Sequence, residues 1–177
     1  GTYKTSPGVG ACVVCGVNTY SLMSATKCTD CPLNTFSSIG SSFCTCRAGY
    51  TGLGDTTCTA CDAGKYKDVV GNSTCSLCPT NTISTAGSTV GTDCICARGH
   101  HALSVGVACN PCTAGTYKNS IGVGTCMPCE ADTYALAGAV TCTACPIDTF
   151  SSVHSNLLAN CTCLAGYSAS SDGVVCT

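Results

Sequence analysis

Apolar and polar positions along the chain follow neither of the long periodic patterns. No segment carries an apolar stripe at helical spacing, so helix is not expected. Gly, Ser, Thr and Asn crowd the stretches between cysteines, which favours turns and short hairpins. The recurrent apolar signature is a threonine followed by a ring or a branched chain, a few residues after a C-x2-C step: Thr19-Tyr20, Thr35-Phe36, Thr82-Ile83, Thr133-Tyr134 and Thr149-Phe150. Each Thr-Tyr or Thr-Phe suits a short strand whose ring packs on the next bridge. A glycine precedes Tyr50, His100 and Tyr167 and is expected to supply a backbone angle that other residues resist.

The strands belong to a repeat. The stretch from Cys44 to Cys61 (C-x-C, two residues, a glycine and a ring, then a polar loop back to cysteine) recurs from Cys94 to Cys112 and from Cys161 to Cys176. Gly1-Thr2-Tyr3-Lys4, with Cys12 and Cys15, aligns without a gap with Gly64-Lys65-Tyr66-Lys67 before Cys75 and Cys78, and with Gly115-Thr116-Tyr117-Lys118 before Cys126 and Cys129. In the latter two copies a cysteine, Cys61 or Cys112, stands three positions before the glycine. For Gly1 that cysteine would precede the first residue, and Cys176-Thr177 matches Cys58-Thr59. The sequence is therefore expected to be a slice of a longer tandem array.

Composition changes the picture from a core-stabilised domain to a stapled one. Cysteine supplies 21 of 177 residues, about 12%, above the share that marks a disulfide scaffold, while Trp is absent and Phe numbers 3. Bridges must do what burial of large side chains cannot, and they persist in an oxidising compartment, which points to the cell surface or the extracellular space. Charged residues are 9% and the net charge is −2, so little on the surface opposes self-association. Seven Lys and Arg, scattered singly, give no footprint for nucleic acid or anionic lipid. No apolar run approaches membrane-spanning length.

The phrase running from Cys61-x2-Gly64-x-Tyr66-Lys67 through Cys75-x2-Cys78-Pro79-x-Asn81-Thr82 to Cys94-x-Cys96 resembles the ephrin-receptor-like cysteine-rich repeat, and the C-x-C-x2-Gly-ring element resembles the last third of EGF-like modules. The resemblance covers essentially the whole chain. It implies a small disulfide-rich fold: an elongated tandem array of EGF-like or tumour-necrosis-factor-receptor-like modules with short β-hairpins and little or no helix. Residues 1–14 would be a partial cysteine-rich loop, 15–60, 61–111 and 129–177 full repeats, and 112–128 a single-loop linker. EGF-like pairing implies Cys15–Cys31, Cys28–Cys44, Cys46–Cys58, Cys61–Cys78, Cys75–Cys94, Cys96–Cys109, Cys112–Cys126, Cys129–Cys145, Cys142–Cys161 and Cys163–Cys176. A neighbour-to-neighbour scheme, as in the first loop of tumour-necrosis-factor-receptor modules, is the alternative. Both leave Cys12 alone and share Cys46–Cys58, Cys96–Cys109, Cys112–Cys126 and Cys163–Cys176.

Chemistry beyond the bridges is sparse. Four thiolates from paired C-x2-C steps would suit zinc, and a single C-x2-C would suit a redox pair, but so many in tandem in an oxidising compartment favour structural disulfides. Calcium-binding EGF modules need clustered acids before the first cysteine, and Cys15, Cys61 and Cys129 have none. His100, His101 and His154 lack the carboxylate and serine partners a catalytic site needs and read as surface-loop residues. Hence no enzyme, metal or cofactor is expected. Two sequons, Asn72-Ser73-Thr74 and Asn160-Cys161-Thr162, mark candidate N-glycans, the second compromised by its bridging cysteine. Runs such as Ser37-Ser38, Ser41-Ser42 and Ser168 to Ser171 would permit O-glycans, although turn chemistry accounts for them equally. The resemblance extends to animal receptor ectodomains and to arrays on algal and protist surfaces, including flagellar hairs (mastigonemes). The expected function is a structural subunit or stalk segment of a secreted, glycosylated extracellular filament, cilium-associated flagellar hair or cell-surface coat, with copies of itself as partner. A spacer or ligand-binding segment of a receptor ectodomain is the alternative.

Overall fold

The structure, a computed structural model, describes residues 1–54, 57–169 and Cys176; Ser170, Ser171 and Thr177, named above, lie outside the described residues. Among the described residues twenty strands of two residues pair into ten antiparallel hairpins. Among the described residues the only helical turns are 3-10 turns at Gly91–Asp93 and Leu158–Asn160. The chain divides into two units. Residues 1–78 with 84–94 hold five hairpins, from the pair Thr2–Tyr3 and Val13–Val14 to the pair Lys65–Tyr66 and Ser76–Leu77. Residues 79–83 with 95–177 hold five more, from the pair Thr82–Ile83 and Ile95–Cys96 to the pair Thr149–Phe150 and Thr162–Cys163.

One local design is repeated. In the hairpin closed by Cys31 and Cys44, the chain leaves Cys31, turns at Asn34 in the left-handed region (φ 62°) and enters Thr35–Phe36. It returns through a loop to Cys44, and Thr35 pairs with Cys46 and Phe36 with Thr45. Asn and Asp tolerate that turn because a short polar side chain costs little there. Asn18, Asn81, Asp132 and Asp148 occupy the same place at φ 62°, 61°, 63° and 61°. The threonine that follows ties the turn down. Thr35 Oγ1 donates to Pro32 O at 2.6 Å, and Thr82 and Thr149 do likewise to Pro79 and Pro146.

This geometry decides the disulfides. A cysteine stands four residues before the first strand and another immediately before the second, and closing the hairpin brings these two together. Ten bridges result, all between neighbours in sequence: Cys15–Cys28, Cys31–Cys44, Cys46–Cys58, Cys61–Cys75, Cys78–Cys94, Cys96–Cys109, Cys112–Cys126, Cys129–Cys142, Cys145–Cys161 and Cys163–Cys176. The EGF-like pairings Cys15–Cys31, Cys28–Cys44, Cys61–Cys78, Cys75–Cys94, Cys129–Cys145 and Cys142–Cys161 are therefore corrected. The two cysteines of each C-x2-C flank a two-residue strand, which separates them by roughly 10 Å at ~3.3 Å per residue. A cystine spans about 4.4–6.8 Å between Cα atoms, so Cys15 can reach only one of the two. The observed Cys15–Cys28 separation is 5.7 Å. Cys12 is free and exposed.

Burial follows the staples. Among the described residues the buried apolar side chains are eleven cysteines and Ala135. The remaining buried side chains are polar: six serines and threonines, with Lys67 and Lys118. Every buried side-chain nitrogen and oxygen among the described residues has a hydrogen-bond partner.

Within each unit, backbone bonds stitch consecutive hairpins. A residue in one loop donates to the carbonyl of the first cysteine of the hairpin before. Gly40 donates to Cys15, Gly71 to Cys46 and Gly87 to Cys61 in the first unit; Gly122 donates to Cys96, Gly138 to Cys112 and His154 to Cys129 in the second, all at 2.8–2.9 Å. A second bond runs from each strand entry to the next hairpin, as from Gly49 N to Lys67 O and from Gly99 N to Lys118 O, both at 2.8 Å. The expected glycine angles are present: Gly49 has φ 79° and Gly99 φ 75°. Space demands glycine too, because a Cβ on Gly49 would lie 2.4 Å from Gly87 O and one on Gly99 2.2 Å from Gly138 O.

Candidate functional site

The residue that follows each first strand turns inward and is buried or half-buried. It is small in most hairpins: Ser21, Ser37, Ser84, Ala135 and Ser151. The serines link backward, Ser37 Oγ donating to Thr19 O at 2.9 Å and Ser84 Oγ to Lys65 O at 2.9 Å. Sequence reasoning placed the preceding ring against a bridge. The structure leaves those rings half-buried, as at Tyr66 and Tyr134, or exposed, as at Phe150, and turns the next residue inward instead.

At three positions that residue is lysine, half-buried at Lys4 and buried at Lys67 and Lys118. Lys67 is 2% exposed and Lys118 4%. Lys67 Nζ donates to Tyr50 O at 2.7 Å and to Gly71 O; Lys118 Nζ donates to Gly122 O at 2.7 Å and Ser120 O at 3.0 Å. Neither has a carboxylate: among the described residues the one salt bridge joins Lys65 to Asp62 at the surface. Each buried ammonium is thus held by backbone carbonyls alone. Burial pushes the pKa of both below the usual lysine value. In chemical terms the ammonium fills a carbonyl pocket and pins the loop that carries Gly71 or Gly122. Lys4 Nζ donates to Gly8 O in the same way. These lysines escaped sequence reasoning, although the spacing of four from Lys4, Lys67 and Lys118 to Gly8, Gly71 and Gly122 was there to be read.

The remaining candidates separate. His100 and His101 form a strand paired with Asn110–Pro111, and His100 Nδ1 lies 2.9 Å from Arg98 O. His154 stands alone in a turn at φ 64°, where the equivalent residue in other hairpins is Gly40, Gly87 or Gly138. Among the described residues no three His, Cys, Asp or Glu side chains gather as a metal site. A recess of 670 Å³ is lined by Cys12 together with Tyr3, Lys4, Pro7, Leu22 and Met23. No histidine or carboxylate lines it.

What the molecule offers to its surroundings is a surface of loops. Apolar side chains stand out from it in both units: Leu22, Met23 and Leu77 in the first, Leu103, Met127 and Ile147 in the second. The two sequons differ in setting. Asn72 sits in an exposed bend after Gly71, whereas Asn160 closes the turn Leu158–Asn160 immediately before the bridged Cys161. No helix among the described residues is long and apolar enough to cross a membrane.

Residues 49–94 and 99–136 match the family described as tyrosine-protein kinase ephrin type A/B receptor-like. Both matched segments open on a left-handed strand-entry glycine, Gly49 or Gly99. The chain is similar to the ephrin type-B receptor 3 of Xenopus laevis, with 40% identity over 52 residues, which cover 29% of this chain and 5% of that receptor.

Proposed function

We propose that this chain, in which residues 49–94 and 99–136 are ephrin-receptor-like cysteine-rich repeats, is a non-catalytic spacer of an extracellular, receptor-like protein, built to keep its length under load. Repeats of this type closed by ten disulfides suggest an extracellular segment. The observation that carries the reading is the covalent path. With neighbour pairing, tension entering at Cys15 crosses to Cys28, passes Thr29 and Asp30, crosses from Cys31 to Cys44, and so on to Cys176. The loaded path is ten bridges, each 5.6–5.8 Å between Cα atoms, joined by links of one or two residues. Its limiting length is roughly 140 Å, against roughly 580 Å for the same residues reduced and extended at ~3.6 Å each. The inter-hairpin bonds from Gly40, Gly71, Gly87, Gly122 and Gly138 resist bending of neighbours within each unit.

Single-molecule pulling from beyond Cys15 and Cys176 tests this. Oxidised molecules should stiffen near the shorter limit and lengthen only after a thiol reductant is added. Stepwise extension well past that limit without reductant would sink the spacer reading.

A second reading is favoured by the apolar side chains at Leu22, Met23, Leu77, Leu103 and Ile147 on a surface with few charges. It makes copies of the chain its partner, assembled into a glycosylated filament, flagellar hair or surface coat. Negative-stain electron microscopy of native, non-reduced protein, with intact mass on the same sample, separates the two. Regular filaments would move the assembly reading to the front; dispersed particles at high concentration would remove it.

A further inference from the structure

We infer that Asn72 is an N-glycosylation site and that Asn160, which carries the other sequon, is a structural turn residue left unmodified. The inference rests on the extracellular reading above, since the modification is made on chains entering the secretory pathway.

The two asparagines head the same motif and meet opposite surroundings. Asn72 follows Gly71, which is fastened on both sides: its N–H donates to Cys46 O at 2.8 Å and its carbonyl accepts from buried Lys67. The side chain after such a fastened glycine points out of the fold. In the aligned copies the residue there is Val9 or Val123, both exposed, as Asn72 is. Among the described residues the Asn72 side chain makes no hydrogen bond, and neither does the hydroxyl of exposed Thr74. The acceptor nitrogen and the hydroxyl two residues on are thus both free, and Ser73 between them forms no bridge.

Asn160 is engaged at every position of its sequon. Its Oδ1 accepts from Leu157 N at 3.2 Å and its N–H donates to Leu157 O at 3.0 Å. Asp93 does the same work in the hairpin closed by Cys78 and Cys94, its Oδ2 accepting from Thr89 N at 2.8 Å and Val90 N at 3.1 Å. The middle residue, Cys161, is bonded to Cys145. Thr162 is paired with Phe150, and its Oγ1 donates to Phe150 O at 3.3 Å. Closing this hairpin ties down all three residues of the tripeptide, although Asn160 and Thr162 stay exposed, whereas closing the hairpin of Cys61 and Cys75 leaves the Asn72 side chain and the Thr74 hydroxyl untied.

The reaction is a group transfer from an isoprenoid-diphosphate-linked oligosaccharide. A bond forms between Asn72 Nδ2 and the anomeric carbon of the first sugar, the bond from that carbon to the diphosphate oxygen breaks, and the isoprenoid diphosphate leaves as the amide loses a proton. No electron is exchanged. A glycan at this loop tip would shade Val69 and Val70, exposed in the same loop.

The test is glycopeptide mass spectrometry of the 177-residue chain directed into the secretory pathway of a eukaryotic cell, read on both the secreted and the cell-retained protein. The expected result is a glycan on the peptide that contains Asn72 and none on the peptide that contains Asn160. Asn72→Gln and Thr74→Ala should each abolish the glycan mass, and Asn160→Gln should leave it unchanged. An unoccupied Asn72 in oxidised chain, or equal occupancy at Asn160, overturns the inference. Retention in the cell with Asn72 occupied supports it and counts against the extracellular reading alone.

Discussion

Replacing Lys67 with methionine keeps an unbranched apolar stem in the same space and removes only the ammonium. Tyr50 O and Gly71 O then lose their donor. A hydrogen bond from a charged donor contributes about 1.5–3 kcal/mol net, so two are worth about 3–6 kcal/mol. Against this stands the desolvation of the ammonium, visible as its lowered pKa, which the methionine relieves. A net loss of about 3 kcal/mol follows, confined to the loop that Gly71 anchors. Global unfolding is a poor readout, because the bridges stay closed. Amide hydrogen exchange of Gly71, whose N–H donates to Cys46 O, and of Gly49, whose N–H donates to Lys67 O, reports the local opening directly. At about 1.4 kcal/mol per tenfold, both should exchange on the order of a hundredfold faster in Lys67→Met. The amide of Cys31, bonded to Asn18 O two hairpins away, should not change. If Gly71 exchanges within about threefold of the parent, less than 1 kcal/mol by the same conversion, the carbonyl cage is not what holds this loop.

Three further outcomes are expected. Gly99→Ala meets Gly138 O at 2.2 Å in a left-handed backbone and should destabilise the second unit by more than about 2 kcal/mol, whereas Gly64→Ala, at φ 80° with nothing within 4 Å, should cost only about 1 kcal/mol; reductant sensitivity of the adjacent bridges measures both, and equal effects would refute the close-approach argument. Non-reducing peptide mapping of the chain opened by denaturant and cleaved before Asp30, which parts Cys28 from Cys31, should recover Cys31 joined to Cys44; recovery of Cys31 with Cys15 would restore the overlapping scheme. Because burial holds Lys67 and Lys118 below their unfolded value of about 10.4, the unfolded chain binds more protons between the two values. Their contribution is complete above the unfolded value and lost as pH falls through the folded one. Protection of the Gly71 and Gly122 amides, corrected for the intrinsic pH dependence of exchange and measured in a Cys12→Ser variant, which cannot start thiol exchange, should therefore rise as pH approaches 10 and lose that rise when both lysines become methionine.

The hairpins were legible because Thr19-Tyr20, Thr35-Phe36, Thr82-Ile83, Thr133-Tyr134 and Thr149-Phe150 each follow a C-x2-C at fixed distance, and a short strand is a local event. The angle at Gly49 and Gly99 was legible for the same reason, the second of these opening a strand on His100. Pairing was not. Cys28 and Cys31 are three residues apart, and which of them meets Cys15 depends on register across the hairpin, where Tyr20 faces Thr29. The buried lysines were hidden by the ordinary expectation that lysine is solvated. Only the carbonyls of Gly71 and Gly122, brought over the ammonium by the fold, make the interior tolerable for charge. The sequons were readable as motifs, and their difference was not: Asn160 looks like Asn72 until the turn that it closes is seen.

Neighbour pairing also decides what a protease can do to this chain. A cut anywhere between two paired cysteines, in an exposed loop such as that of Val69 and Val70, leaves both fragments joined by the bridge that closes the loop. Only the links between successive bridges can be severed with effect, and from Cys28 onward those links are the returning strands: Thr29–Asp30, Thr59–Ala60, Ser76–Leu77, Asn110–Pro111, Met127–Pro128 and Thr143–Ala144, with single residues at Thr45, Ile95 and Thr162. Each is tied into a ladder and is too short to adopt the extended run of several residues that a protease cleft binds. The loops can be nicked and the array remains one covalent object, so that damage is recorded at its surface without breaking the connection between its ends.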